Sequence, residues 1–142
     1  MGSASNAEEP KSQLAILVVD DDPDVLMYIV ATLRRHGHTV FGAQSGREAM
    51  SVLIQQKHLI GVVLTDVVMP SLNGPELAER LVAVNPNLTI IYMSGYKEEH
   101  LARFGRLLNN CSVLSKPFTP QELLGAIYKC VGEPPATRSA GF

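Results

Sequence analysis

The chain has no tryptophan, and aromatic residues make up 6% of it. It has two cysteines, Cys111 and Cys130. Neither sits in a CxxC pair or a metal-ligand spacing, which excludes a cysteine-bound zinc site and a disulfide scaffold; both read as structural thiols suited to a reducing compartment. No apolar run approaches the roughly 18 residues of a membrane span, and the N-terminus has no signal-peptide core. The expectation is a cytoplasmic chain that makes no membrane contact. Neither charge sign dominates: 12 basic and 14 acidic residues leave a net charge of −2. Without a basic patch to neutralise phosphate backbones, nucleic acid is not the expected partner. A protein is.

What is present is enough for one domain, since 142 residues can bury a core without staples. Residues 1–12 are small and polar and read as a tag or linker, residues 13–132 as the domain, and residues 133–142 as a C-terminal linker or tail. Short apolar runs over 15–19, 60–64, 88–93 and 112–114, with a weaker one over 39–43, read as buried parallel strands. Between them run helical stripes: Val25, Leu26, Ile29, Val30 and Leu33 form one, and Leu123, Leu124, Ile127 and Val131 another. Asp22 before Pro23 reads as a helix N-cap with proline at the first helical position. Ser45 to Glu48 and Thr119 to Glu122 match the S/T-x-x-E capping box, and Gly74-Pro75 marks a third start. Residues 97–110, with Gly105 inside, predict a less regular helix. Such alternation predicts an α/β fold: a flavodoxin-like (βα)5 sandwich around a parallel five-stranded sheet of order 2-1-3-4-5.

The stretch ILVVDDDPDVL runs an apolar strand into three adjacent carboxylates. Two carboxylates about 4 Å apart repel by about 4 kcal/mol at an effective dielectric near 20, so such a cluster needs an offset. In the 2-1-3-4-5 order the ends of strands 1 and 3 are neighbours, bringing Asp20 and Asp21 beside Asp66, at the end of GVVLTD. Three convergent carboxylates suit a hard divalent cation such as Mg²⁺, or Mn²⁺. Strand 4 closes at Ser94, and strand 5 at Lys116 before Pro117. Carboxylate, metal, hydroxyl and ammonium together make a cradle for a phosphoryl group.

Through VVDDD, LTDVVMPSLNG, YMSGY and LSKPF, in that order, the sequence resembles the receiver domain of two-component response regulators over residues 14–131. The resemblance implies Asp66 as phosphoacceptor, and Asp20, Asp21, Asp66 and the Val68 backbone carbonyl as metal ligands. It implies Ser94 as the switch hydroxyl, and Lys116 as its charged partner on a cis Lys116–Pro117 bond. It also implies a histidine kinase or histidine phosphotransfer protein as phosphodonor, a monomer or weak dimer, and a domain that catalyses only its own phosphorylation and dephosphorylation. The last third further resembles receivers at the C-terminal end of hybrid sensor histidine kinases. Val113 stands where many members carry Tyr or Phe, and Val68 and Tyr96 hold the variable positions that influence dephosphorylation in the family.

Two other classes compete. A haloacid-dehalogenase-like phosphohydrolase would use the D-x-D of Asp20 and Asp22 as nucleophile and acid; a pseudo-receiver would bind a partner without phosphate. His36, His38, His58 and His100 share no motif and read as solvent-exposed. Gly42, Gly46 and Gly61 form no GxGxxG loop, and the first strand-to-helix turn is acidic, which argues against a dinucleotide or flavin phosphate.

Overall fold

Each helix of this chain starts where a polar side chain can take over the backbone N–H groups left without partners in its first turn. The computed structural model describes residues 13–95 and 110–132. Asp22 caps α1 (Pro23–Arg35), accepting from the N–H groups of Asp24 and Val25. Ser45 caps α2 (Gly46–Gln55), but the box expected there is only half made, because the Glu48 carboxylate reaches back to the N–H of Gln44 instead of Ser45. Asn73 caps α3 (Gly74–Val84) in a complete box with Glu76, and Thr119 caps α4 (Pro120–Val131) in another with Glu122. Interleaved with them run β1 (Ala15–Val19), β2 (Thr39–Ala43), β3 (Val62–Asp66), β4 (Thr89–Ser94) and β5 (Asn110–Ser115). The strands pair in parallel in the order β2-β1-β3-β4-β5, as predicted. The expected helix over 97–110 lies outside the described residues, save Asn110, which opens β5. None of the described helices is long and apolar enough to cross a membrane.

Side chains alternate across the sheet with period two, and the two faces bury separate cores. On one face Leu17, Val19, Val63, Ile90 and Tyr92 pack with Leu53 of α2 and with Leu77 and Leu81 of α3. On the other, Ile16, Val18, Val62, Leu64, Ile91 and Met93 pack with Ile29 and Leu33 of α1 and with Leu123 and Ile127 of α4. Asp20 is in step with Ile16 and Val18, Asp66 with Val62 and Leu64, and Lys116 with Leu114. The ladders also continue past the strand ends, through Asp20 N–H to the Ala43 carbonyl and Lys116 N–H to the Ser94 carbonyl. All three charged residues therefore leave the sheet at its C-terminal edge on the α1/α4 side.

The loop after β3 folds back on itself. Gly74 donates its N–H to the Val67 carbonyl at 2.7 Å, and a Cβ at Gly74 would collide with the Asp66 carbonyl. Only glycine lets the loop approach this strand so closely. In between, Leu72 N–H bonds the Pro70 carbonyl at 2.7 Å around Ser71, whose φ is 71°. That is a γ-turn of the rare positive-φ hand, a conformation that costs a residue with a side chain.

Two expectations are corrected. His38 is buried, 5% exposed, rather than solvated. A left-handed Gly37 closes α1 with Gly37 N–H on the Arg34 carbonyl and His38 N–H on that of Leu33. This is a Schellman end, and it turns His38 inward. Leu14 N–H donates to His38 Nδ1 at 3.1 Å, so the proton resides on Nε2, which donates to the Tyr128 hydroxyl at 2.8 Å. The ring thus ties Leu14, just before β1, to α4. Burial, helped by the nearby His36, holds the His38 pKa below the ordinary histidine value, and burial raises that of Tyr128. The second correction concerns Cys130 on α4, which is disulfide-bonded rather than a thiol; spacing along the chain carries no information about such pairing.

Relieving the γ-turn strain by Ser71→Gly is expected to stabilise the domain by about 0.5–1 kcal/mol in urea unfolding; an unchanged or lower midpoint would show that the turn carries no strain. For His38 the folded pKa is depressed, so its contribution is complete above the ordinary histidine value of about 6.5 and declines as pH falls below it, at up to about 1.4 kcal/mol per pH unit. In urea melts between pH 7 and 5, His38→Asn should lose less stability than wild type. Parallel losses would rule out this origin.

Candidate functional site

Asp20, directly after β1, is fully buried. Its Oδ1 accepts from Asp22 N–H at 2.9 Å, and its Oδ2 from Lys116 Nζ at 2.8 Å. Asp66, the last residue of β3, is 8% exposed, and its Oδ2 takes the same ammonium at 3.1 Å. The N–H of Val68 also bonds the Asp66 carboxylate. Asp21 is exposed, yet it offers an oxygen to the group: one carboxylate oxygen from each of Asp20, Asp21 and Asp66 lies within 4.8 Å of the others. Burial raises the Asp66 pKa; the Lys116 charge pulls it back, the Asp20 charge raises it further, and the net displacement is upward. For Lys116 burial works against the charged form, but its bond to Asp20 and the charge of Asp66 outweigh burial and hold the ammonium above the ordinary lysine range.

Three carboxylates against one ammonium leave the pocket with a formal excess of two negative charges. A divalent cation supplies what is missing, and hard oxygen donors of this kind match magnesium, which also keeps several waters. The donor set fits the ion.

Ser94, at the end of β4, is buried and lies one residue beyond Met93, the register partner of Asp66. The Lys116–Pro117 peptide is cis, as expected. Five of the anticipated residues, Asp20, Asp21, Asp66, Ser94 and Lys116, thus come together at one edge of the sheet, with Val68 exposed on the loop beside them. Asp22 does not join them: its oxygen is engaged by the N–H groups of Asp24 and Val25. Val113 packs against the α2/α3-side core, in register with the fully buried Tyr92, so the aromatic bulk at this level of the sheet is supplied by β4. Tyr96 and His100 lie outside the described residues. Two supporting features were not anticipated, the close approach at Gly74 and the Asn73–Glu76 box. The second has a signal in the sequence, an N-x-x-E spacing equivalent to the two S/T-x-x-E boxes.

With this geometry in place, comparison with known proteins defines the class. The profile of the response regulator receiver domain matches residues 16–128. The chain belongs to that family and is a receiver domain of two-component signalling. The phosphohydrolase alternative finds no support. Among relatives, the chain is 33% identical over 114 residues to the response regulator receiver protein CpdR of Brucella abortus, covering 80% of this chain and 93% of that protein. It is also 33% identical over 117 residues to the sensor kinase CckA of the same organism, where 82% of this chain corresponds to 12% of the kinase. A crystal structure of a response regulator receiver domain protein from Clostridium thermocellum superimposes with a TM-score of 0.75 at 29% identity, covering 83% of this chain and 94% of that one. The chain therefore spans nearly all of one such relative and a small part of the other.

Because Asp66 ionises against both burial and the Asp20 charge, Asp66→Asn is expected to raise Tm at pH 7 in metal-free buffer, by a few degrees for about 1 kcal/mol. Mg²⁺ should then stabilise the wild type more than the variant. A variant less stable than wild type without metal would contradict the electrostatic account.

Proposed function

We propose that Asp66 accepts a phosphoryl group from the phosphohistidine of a histidine kinase or histidine phosphotransfer protein, and that the domain then presents an altered interaction surface. An oxygen of Asp66 attacks phosphorus, the phosphorus–nitrogen bond to the donor imidazole breaks, and the electron pair stays on that nitrogen. Asp20, Asp21, Asp66 and the Val68 carbonyl hold Mg²⁺ or Mn²⁺ in this reading. Once bound, the ion neutralises charge on the phosphoryl oxygens. Lys116, a compact charge on a flexible stem, follows a phosphoryl oxygen as the carboxylate it now holds becomes an acyl phosphate. The Ser94 hydroxyl turns toward the phosphoryl group and carries the change into the surface around β5 and α4.

The observation that supports this reading most is the single ammonium shared by two buried carboxylates of a three-carboxylate cluster. A binding module without phosphate has no need for it. Residues 13–132 form the receiver in this proposal, with a tag or linker before it and a linker or tail after it. It works in the cytoplasm as a monomer or weak dimer, without membrane contact, and turns over no substrate beyond its own phosphoryl group. It is either a stand-alone regulator or the terminal receiver of a hybrid kinase.

Intact-mass measurement after incubation with acetyl phosphate and Mg²⁺ tests the assignment. One phosphoryl adduct is expected on the wild type and none on Asp66→Asn or in the presence of chelator. An adduct that persists in Asp66→Asn would overturn Asp66 as acceptor. No adduct together with no Mg²⁺-dependent release of phosphate would overturn the phosphoacceptor reading itself.

A further inference from the structure

Beside the acidic cluster, a cavity of about 570 Å³ opens between α2 and α3. Two arginines line it, Arg47 from the first turn of α2 and Arg80 from α3, over the apolar side chains of Met50, Met69 and Leu72. Asp21 stands at the side that faces the metal cluster. The phosphoacceptor itself is not part of its lining.

Neither guanidinium is ion-paired among the described residues. Among the described residues the ion pairs are those that Lys116 makes with Asp20 and Asp66. Along the helices no carboxylate stands three or four residues from Arg47, and the one four residues before Arg80, Glu76, accepts from Asn73 N–H at 3.1 Å. The lining therefore carries two guanidinium charges against the single carboxylate of Asp21, in a chain whose net charge is −2. The wall is also built rather than incidental. The strained turn at Ser71 seats Leu72 directly over Gly46, where a Cβ would lie 2.7 Å from Leu72 Cδ2.

We propose that this cavity is a second anion site, taking a nucleotide-sized organic phosphate whose phosphate lies between Arg47 and Arg80 and whose flat body lies over Met50, Met69 and Leu72. The volume falls within the roughly 300–1,000 Å³ of small-molecule sites. Two planar guanidinium forks match the several oxygens and near-double charge of a phosphate monoester better than a lone carboxylate would. Methionine sulfur favours the edge and face of an aromatic ring, which accounts for a thioether floor beneath a planar ligand.

The test uses the full chain in metal-free buffer, so that Mg²⁺ cannot carry a nucleotide to the carboxylates. AMP and GMP are the probes, with inorganic phosphate and guanosine as the separate halves, read by amide shifts in ¹⁵N NMR and by calorimetry. A nucleotide is expected to shift the amides of residues 44–50 and 69–72 and to bind more tightly than either half. Arg47→Ala and Arg80→Ala should each weaken it about tenfold or more, while Asp66→Asn leaves it unchanged. Both arginines are exposed, and matched thermal melts verify that the variants fold. The proposal is overturned if no probe shifts those amides at millimolar concentration, if binding survives in the double arginine variant, or if inorganic phosphate equals the nucleotides. It is equally overturned if an acidic peptide binds through both arginines and the nucleotides do not, since the cavity then serves a protein surface. Phosphorylation of the same preparation by acetyl phosphate separates failure of this site from failure of the phosphoacceptor reading.

Discussion

The ammonium of Lys116, held at 2.8 Å from Asp20 and 3.1 Å from Asp66, is the contact on which the site depends. Two carboxylates sharing a buried pocket repel by several kcal/mol at short range unless a cation stands between them. Lysine supplies that cation on a stem long enough to reach from the end of β5, past β4, to the ends of β3 and β1. The same stem is flexible, so the ammonium can follow either carboxylate. A planar arginine fork would bind the carboxylates more rigidly and follow them less well.

Around this contact the fold keeps the strand ends still. Apolar layers on both faces fix the sheet, with Tyr92, Leu64, Ile91 and Met93 fully buried near its centre. The functional side chains sit on the last residues held by the ladders, Asp66 and Ser94 closing β3 and β4 and Asp20 and Lys116 bonded to the neighbouring strands through their own N–H groups. The loop after Asp66 is tied down on one side by the close approach of Gly74 and strained on the other at Ser71.

Much of this was legible beforehand, and the reason is local. Buried parallel strands must be apolar along their length, so the runs ending at Asp20, Asp66 and Ser94 marked both the sheet and its C-terminal edge. Caps are equally local, since Asp22, Ser45 and Thr119 act on N–H groups two or three residues away. His38 was not legible: its neighbours, Leu14 and Tyr128, are 24 and 90 residues away, and nothing beside it in the chain foretells burial. Cys130 was misread for the same reason, its bonded state being a matter of proximity in space.

By itself, then, the sequence determined the alternation of strands and helices, the order of the sheet and the identity of the residues at its edge, because each rests on periodicity, on caps a few residues long, or on a motif whose parts keep their order. Only the tertiary structure decided which oxygen of each aspartate Lys116 holds, why glycine is required at position 74, and that Arg47 and Arg80 face one cavity without carboxylate partners among the described residues. These are facts of distance between segments far apart in the chain. Sequence spacing cannot express them, since a shift of one residue in strand register would send every side chain to the opposite face.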